Sequence, residues 1–90
     1  LITDVSIKNL ITCDFKQLKE LYLGGNQITD QATEHLIKCD FKQLQVLYLD
    51  GTQITEISIL QIMNNFKELK NLNLYGTQIK DEWIRNSNIC

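Results

Sequence analysis

The ninety-residue chain has no proline and only one methionine, one tryptophan, one histidine and one arginine. Its scarcities exclude several classes of function. The formal net charge is only −2 and the lysines are scattered rather than banked, so nothing electrostatic points to nucleic acid. No uninterrupted apolar run approaches the ~20 residues that a membrane-crossing helix needs, and no basic-then-apolar signal segment opens the chain at Leu1. A single histidine, with no Cys-x-x-Cys pair, leaves little from which to build a metal site. The nearest approach to a phosphate-cradling loop, Gly24-Gly25-Asn26, lacks the lysine such loops use. His35 stands beside Glu34 with no serine or cysteine nucleophile in a recognisable arrangement, and is expected at the surface. The sequence therefore predicts no enzyme, no cofactor and no metal. What remains is 43% apolar and 22% charged, ordinary for a soluble globular chain of at most one small domain. The lack of an initial methionine predicts a fragment or a processed product.

What the chain does have is repetition. Residues 21–30 read LYLGGNQITD, residues 47–56 LYLDGTQITE and residues 72–81 LNLYGTQIKD, at periods of 26 and then 25. In register, Leu18-x-x-Leu21-x-Leu23-x-x-Asn26-x-Ile28 matches the segment from Leu44 to Ile54 and again that from Leu69 to Ile79. The opening Ile2-Thr3-Asp4 is the tail of one more unit. The chain is thus expected to be one repeat segment, 1–90, with a partial repeat at 1–17 and repeats at 18–43, 44–68 and 69–90. A catalytic motif is needed once, so a fixed period points to architecture. Repeats of 20–29 residues with this leucine spacing resemble the leucine-rich repeat family.

The residues predict the same α/β unit independently. In Leu21-Tyr22-Leu23 and its counterparts, apolar and more polar positions alternate with the period of a half-buried strand. Gly25, Gly51 and Gly76 fall in the turn that leaves each strand, where a positive φ or a close approach suits glycine. Thr29-Asp30, with Thr3-Asp4 and Thr55-Glu56, is a helix start. Counted from the repeat isoleucine, offset five holds Ile7, Thr33, Ile59 and Ile84, and offset eight holds Leu10, Leu36 and Ile62, on one helical face. Phe15, Phe41 and Phe66 are expected to stack as an aromatic spine between helix and strand. No unit can bury its apolar face alone, so neighbours must stack into a solenoid. We expect a right-handed arc with short parallel strands on its concave face and helices on its convex face. The resemblance implies that Asn26, Thr52 and Thr77 face inward and bond neighbouring turns, more weakly where threonine replaces asparagine.

Cys13, Cys39 and Cys90 share one register position, eleven residues past the repeat isoleucine, on the helical side. Helices pack roughly 8–10 Å apart, beyond the ~7 Å between Cα atoms that a disulfide spans. Small buried thiols at helix ends are expected, suited to a reducing compartment and hence a cytoplasmic setting. Trp83 replaces the small Ser6, Ala32 and Ser58 of offset four, and Ser87 replaces the apolar residue of offset eight. Both suggest that the repeats end near residue 90, with Trp83 either covering the last flank or reaching a partner. An uncapped N-terminal face is expected to expose Ile7, Leu10 and Phe15, which would leave the chain marginally stable or self-associating there.

The candidate binding residues are those that change between repeats. Glu20, Val46 and Asn71 form one outward row, Tyr22, Tyr48 and Asn73 the next, and Gly24, Asp50 and Tyr75 a third. Tyrosine offers a large rigid contact area with a hydroxyl at its tip and suits binding surfaces; it also simply suits strands. Family resemblance implies a scaffold or interaction module that binds a protein partner on this concave face. The alternative is a regulatory or structural segment of a larger enzyme or assembly. The wording Gly-Thr/Asn-x-Ile-Thr-Asp is similar to repeats of bacterial and protist proteins. The Ile-Thr-Asp is also similar to the cysteine-containing subclass in ubiquitin-ligase substrate receptors, which have cysteine where this chain has Asn26, Thr52 and Thr77.

Overall fold

Each leucine-spaced segment becomes a three-residue strand. The computed structural model describes residues 2–10, 16–39, 41 and 43–80. Along it run α1 (Asp4–Leu10), β1 (Glu20–Tyr22), α2 (Asp30–Leu36), β2 (Val46–Tyr48), α3 (Glu56–Asn65) and β3 (Asn71–Asn73). The three strands form one open parallel sheet in chain order, β1-β2-β3. Their register is that of the sequence repeat: Leu21 pairs Leu47 and Leu47 pairs Leu72. Isolated bridges from Thr3 to Gln27 and from Thr29 to Gln53 carry the pairing past the turns. Parallel neighbours need a long crossover, and here each crossover is a helix.

The turns that leave the strands are also in register. Gly25, Gly51 and Gly76 have φ of 74°, 67° and 74°, the left-handed region that a Cβ disfavours. Their amides extend the ladder, Gly25 N–H donating to the Asp50 carbonyl and Gly51 N–H to that of Tyr75, each at 2.8 Å. A Cβ on Gly51 would meet only ordinary contact, with the Gly25 Cα 3.7 Å away. The requirement for glycine is therefore conformational rather than steric. Gly51→Ala is expected to lower stability by about 1–2 kcal/mol, read as a lower urea midpoint. An unchanged midpoint would mean that the turn relaxes freely into another conformation.

At the inward position after the glycine, Asn26 and the threonines behave differently. Asn26 Nδ2 donates to the carbonyls of Leu23 and Gly24, and its Oδ1 accepts from the Ile2 N–H of the preceding repeat at 3.0 Å. Thr52 and Thr77 have one hydroxyl each and spend it within their own repeat, on the carbonyls of Leu49 at 2.6 Å and Leu74 at 2.7 Å. The side-chain link between turns is therefore made by the acceptor oxygen of the asparagine amide, which a threonine lacks, and among the described residues the hydroxyls of Thr52 and Thr77 make no bond to a neighbouring turn.

The helices begin where Thr-Asp or Thr-Glu recurs. Thr29 and Thr55 are N-caps, their hydroxyls accepting from the amides of Gln31 and Ile57. The aspartates do something else. Asp4 accepts from the Thr29 amide at 2.9 Å and the Thr29 hydroxyl at 2.6 Å, while Asp30 accepts from the Thr55 amide at 2.8 Å and hydroxyl at 2.6 Å. The Ser58 hydroxyl also donates to Asp30, and lies 2.8 Å from the Thr33 hydroxyl. Each aspartate therefore satisfies the helix start of the next repeat rather than its own. Burial pushes the Asp30 carboxyl up, but the hydrogen bonds from Ser58 and Thr55 outweigh it and hold it below the usual carboxylate range.

The core lies between sheet and helices. Leu47, Leu49, Ile54 and Ile62 of the middle unit have no solvent exposure, whereas Leu21 of the outer strand is only half-buried. Of the offset-four and offset-five residues, Ala32, Thr33 and Ser58 are wholly buried and Ile59 nearly so, which lets α2 and α3 meet closely. Phe41 and Phe66 meet edge to face, centroids 5.9 Å apart, rather than stacked. Phe15 lies outside the described residues. Ile7, expected to be exposed at the N-terminal face, is instead fully buried. Its inward-pointing offset-five position packs it into the core, and Leu10 is half-buried. The exposed apolar residue of α1 is Val5. Cys39 is half-buried rather than buried, its thiol 3.9 Å from the His35 carbonyl near the end of α2. Cys13, Cys90, Trp83, Ile84 and Ser87 lie outside the described residues.

Candidate functional site

Because successive strand side chains alternate between faces, burying the leucines turns every intervening residue to the open side of the sheet. Parallel pairing then sets like positions side by side. Glu20 lies opposite Val46 and Val46 opposite Asn71; Tyr22 lies opposite Tyr48 and Tyr48 opposite Asn73. The Tyr22 and Tyr48 ring centroids are 4.6 Å apart with planes tilted by 51°. Tyr22 remains 56% exposed despite this contact, so the pair presents an aromatic surface to solvent. Its hydroxyl donates to Glu20 Oε1 at 2.6 Å, tying the first two rows together. That bond, with a little burial and the negative charge of Glu20, holds the Tyr22 phenol above its usual range.

The third row is shaped by a glycine. A Cβ at Gly24 would fall 2.2 Å from Asp50 Oδ1, so the Asp50 carboxylate lies directly over Gly24. The carboxylate fills the space that a side chain at position 24 would take. Beyond it, Tyr75 is 84% exposed, and its amide donates to Asn73 Oδ1 at 3.0 Å. Val46, Tyr48, Asp50, Asn71 and Asn73 are half-buried, and Glu20 is exposed. The structure thus collects all eight candidate residues on one face. It offers an aromatic pair, two carboxylates, two amides and an outlying tyrosine: contact chemistry, with no acid–base–nucleophile arrangement among them.

Two family models match the chain, one for two copies of the leucine-rich repeat over residues 42–86 and one for a single leucine-rich repeat over residues 17–39. The chain belongs to the leucine-rich repeat family. A search of curated proteins returns no match. Leucine-rich repeats generally serve as protein–protein interaction modules and are typically not enzymes. Among the described residues of this leucine-rich repeat chain, no helix is long and apolar enough to cross a membrane, and no three His, Cys, Asp or Glu side chains are grouped to hold a metal ion.

Two features of this leucine-rich repeat chain escape a reading of its sequence by position. The aspartate links between repeats were hidden because Thr-Asp reads as a helix cap in one dimension; the recurring Ser or Ala at offset four was the available signal. His35, expected at the surface, is half-buried with Nδ1 enclosed and without a hydrogen-bond partner, as is Oε1 of Gln61. Both stand seven residues past their repeat isoleucine, on the packed helices α2 and α3, where a polar row replaces apolar packing.

Proposed function

We propose that this leucine-rich repeat chain binds a protein partner on the concave face of its sheet, through Glu20, Tyr22, Val46, Tyr48, Asp50, Asn71, Asn73 and Tyr75. The observation that carries this reading is the Tyr22–Tyr48 pair, aromatic, in contact and, at Tyr22, still open to solvent. Paired aromatics bury a large area at small entropic cost, and such residues dominate binding energies. The repeats 18–43, 44–68 and 69–90 act as one scaffold in this reading, curved into a solenoid and working in a cytoplasmic, reducing setting.

Replacing Tyr22 and Tyr48 together by alanine should leave folding nearly intact, since Tyr22 is exposed and Tyr48 half-buried. Binding to a partner captured by the wild-type chain should then weaken at least about 10-fold, corresponding to more than ~1.4 kcal/mol. Partners recovered undiminished by the double variant would sink the concave-face reading. A turnover assay on the same chain should give no signal.

A further inference from the structure

We propose that the outward face of α3 is a self-association surface on which a second copy of this chain docks, the two helices antiparallel about a two-fold axis at Leu60. Three exposed apolar residues lie along this helix at three-residue spacing: Ile57 (60% exposed), Leu60 (53%) and Met63 (38%). The repeat supplies an internal control. The same positions of α2 as Ile57 and Leu60 are Gln31 and Glu34, both exposed although α2 packs against α1 on one side and α3 on the other. These positions therefore face solvent when both flanks are occupied, and a further stacked repeat would leave Ile57 and Leu60 uncovered. In α1 the same two positions are the exposed Val5 and Lys8, so α3 is the one described helix that is apolar at both, and an exposed apolar stripe of this kind marks a surface that another molecule covers.

A second copy fits this surface by symmetry and by charge. An isologous contact must be self-complementary. The stripe is centred on Leu60, so antiparallel pairing sets Leu60 on Leu60 and Ile57 on Met63. From Ile57 to Asn65 the helix carries no charged residue, so two copies bring no like charges together. The same register sets the Glu56 carboxylate opposite the Asn64 amide. Just past the C-terminal end of α3, the end that antiparallel pairing brings nearest the other copy's Glu56, stand the exposed Lys67 and Lys70 with one Glu68. This surface is separate from the sheet face and does not depend on it. It is also distinct from the N-terminal face at which self-association is expected, where Ile7 is buried.

Sedimentation equilibrium of the wild-type chain should show a concentration-dependent monomer–dimer exchange. Leu60→Glu and Leu60→Lys should each weaken it at least about 30-fold. Mixing the two should restore dimers, because only a two-fold contact sets residue 60 against residue 60. Glu34→Lys, at the equivalent place on α2, should leave dimerisation unchanged. Urea midpoints near wild type confirm that the variants fold, and Ile57→Glu serves in place of any that does not. A wild-type chain monomeric at every concentration, which would leave the face to some other partner, overturns the proposal. So does a dimer that Leu60→Glu leaves intact, or a mixture that stays monomeric.

Discussion

Leu47→Ala is expected to lower the stability of the chain by about 3–5 kcal/mol, the upper part of the range for buried leucines. The side chain has no solvent exposure and belongs to the central strand, with a repeat packed on either side. Neighbours held from both sides cannot collapse into the space left behind, so the cavity cost adds to the lost transfer free energy. A domain of this size has only about 5–15 kcal/mol in all, so the variant should be partly unfolded at modest urea. Leu21→Ala, in the same register on the outer strand, is the comparison. Leu21 is half-buried and unsupported on one flank by any described strand, so its truncation should cost roughly 1–2 kcal/mol. Urea unfolding of both variants reads the difference as separated midpoints. Equal shifts would mean that stability is not concentrated in the middle of the stack.

That gradient follows from what a repeat is, and the sequence made it legible. Identical leucine spacing in three units requires identical strands in register, because any slip would turn Leu21, Leu47 and Leu72 to the wrong face. The glycine turns and threonine caps were readable for the same reason: each needs a particular residue type at one backbone conformation. The alternation also gave the membership of the open face, so all eight candidate residues could be named before their positions were known.

Side-chain reach was much less legible. Spacing places Tyr22 beside Tyr48, but it does not say that Tyr22 bonds back to Glu20 or that Asp50 settles over Gly24. Those choices depend on rotamers and local space. The burial of Ile7 was not legible because Ile7 was grouped with Leu10 and Phe15 as one exposed N-terminal face. Offset five points into the core, so the described residues alone cover it. The exposed stripe on α3 was visible in principle, as Ile57 and Leu60 standing where α2 has Gln31 and Glu34. It emerges only when outward positions are compared across repeats as closely as inward ones.

The links between repeats bear on how three small units hold together, and Asp30 tests them. Its carboxylate accepts from the Thr55 amide, the Thr55 hydroxyl and the Ser58 hydroxyl. Asp30→Ala leaves all three donors without this acceptor, and Ser58 is fully buried, so water cannot replace it there. The expected loss is about 2–4 kcal/mol at neutral pH. Asp4→Ala removes the two bonds to Thr29 and should cost less. Acid provides an independent reading. Asp30 titrates lower in the folded chain than unfolded, so its contribution is complete above the unfolded value of about 3.9 and is lost as pH falls below it toward the folded value. The stability difference between wild type and Asp30→Ala should therefore hold steady from about pH 7 to pH 5 and narrow by pH 3, because the wild type alone weakens through this group. Asp30→Asn retains a single acceptor oxygen and should fall between the two, without that narrowing on its own account. A gap that stays constant down to pH 3 would show that packing, and not the carboxylate, joins these repeats.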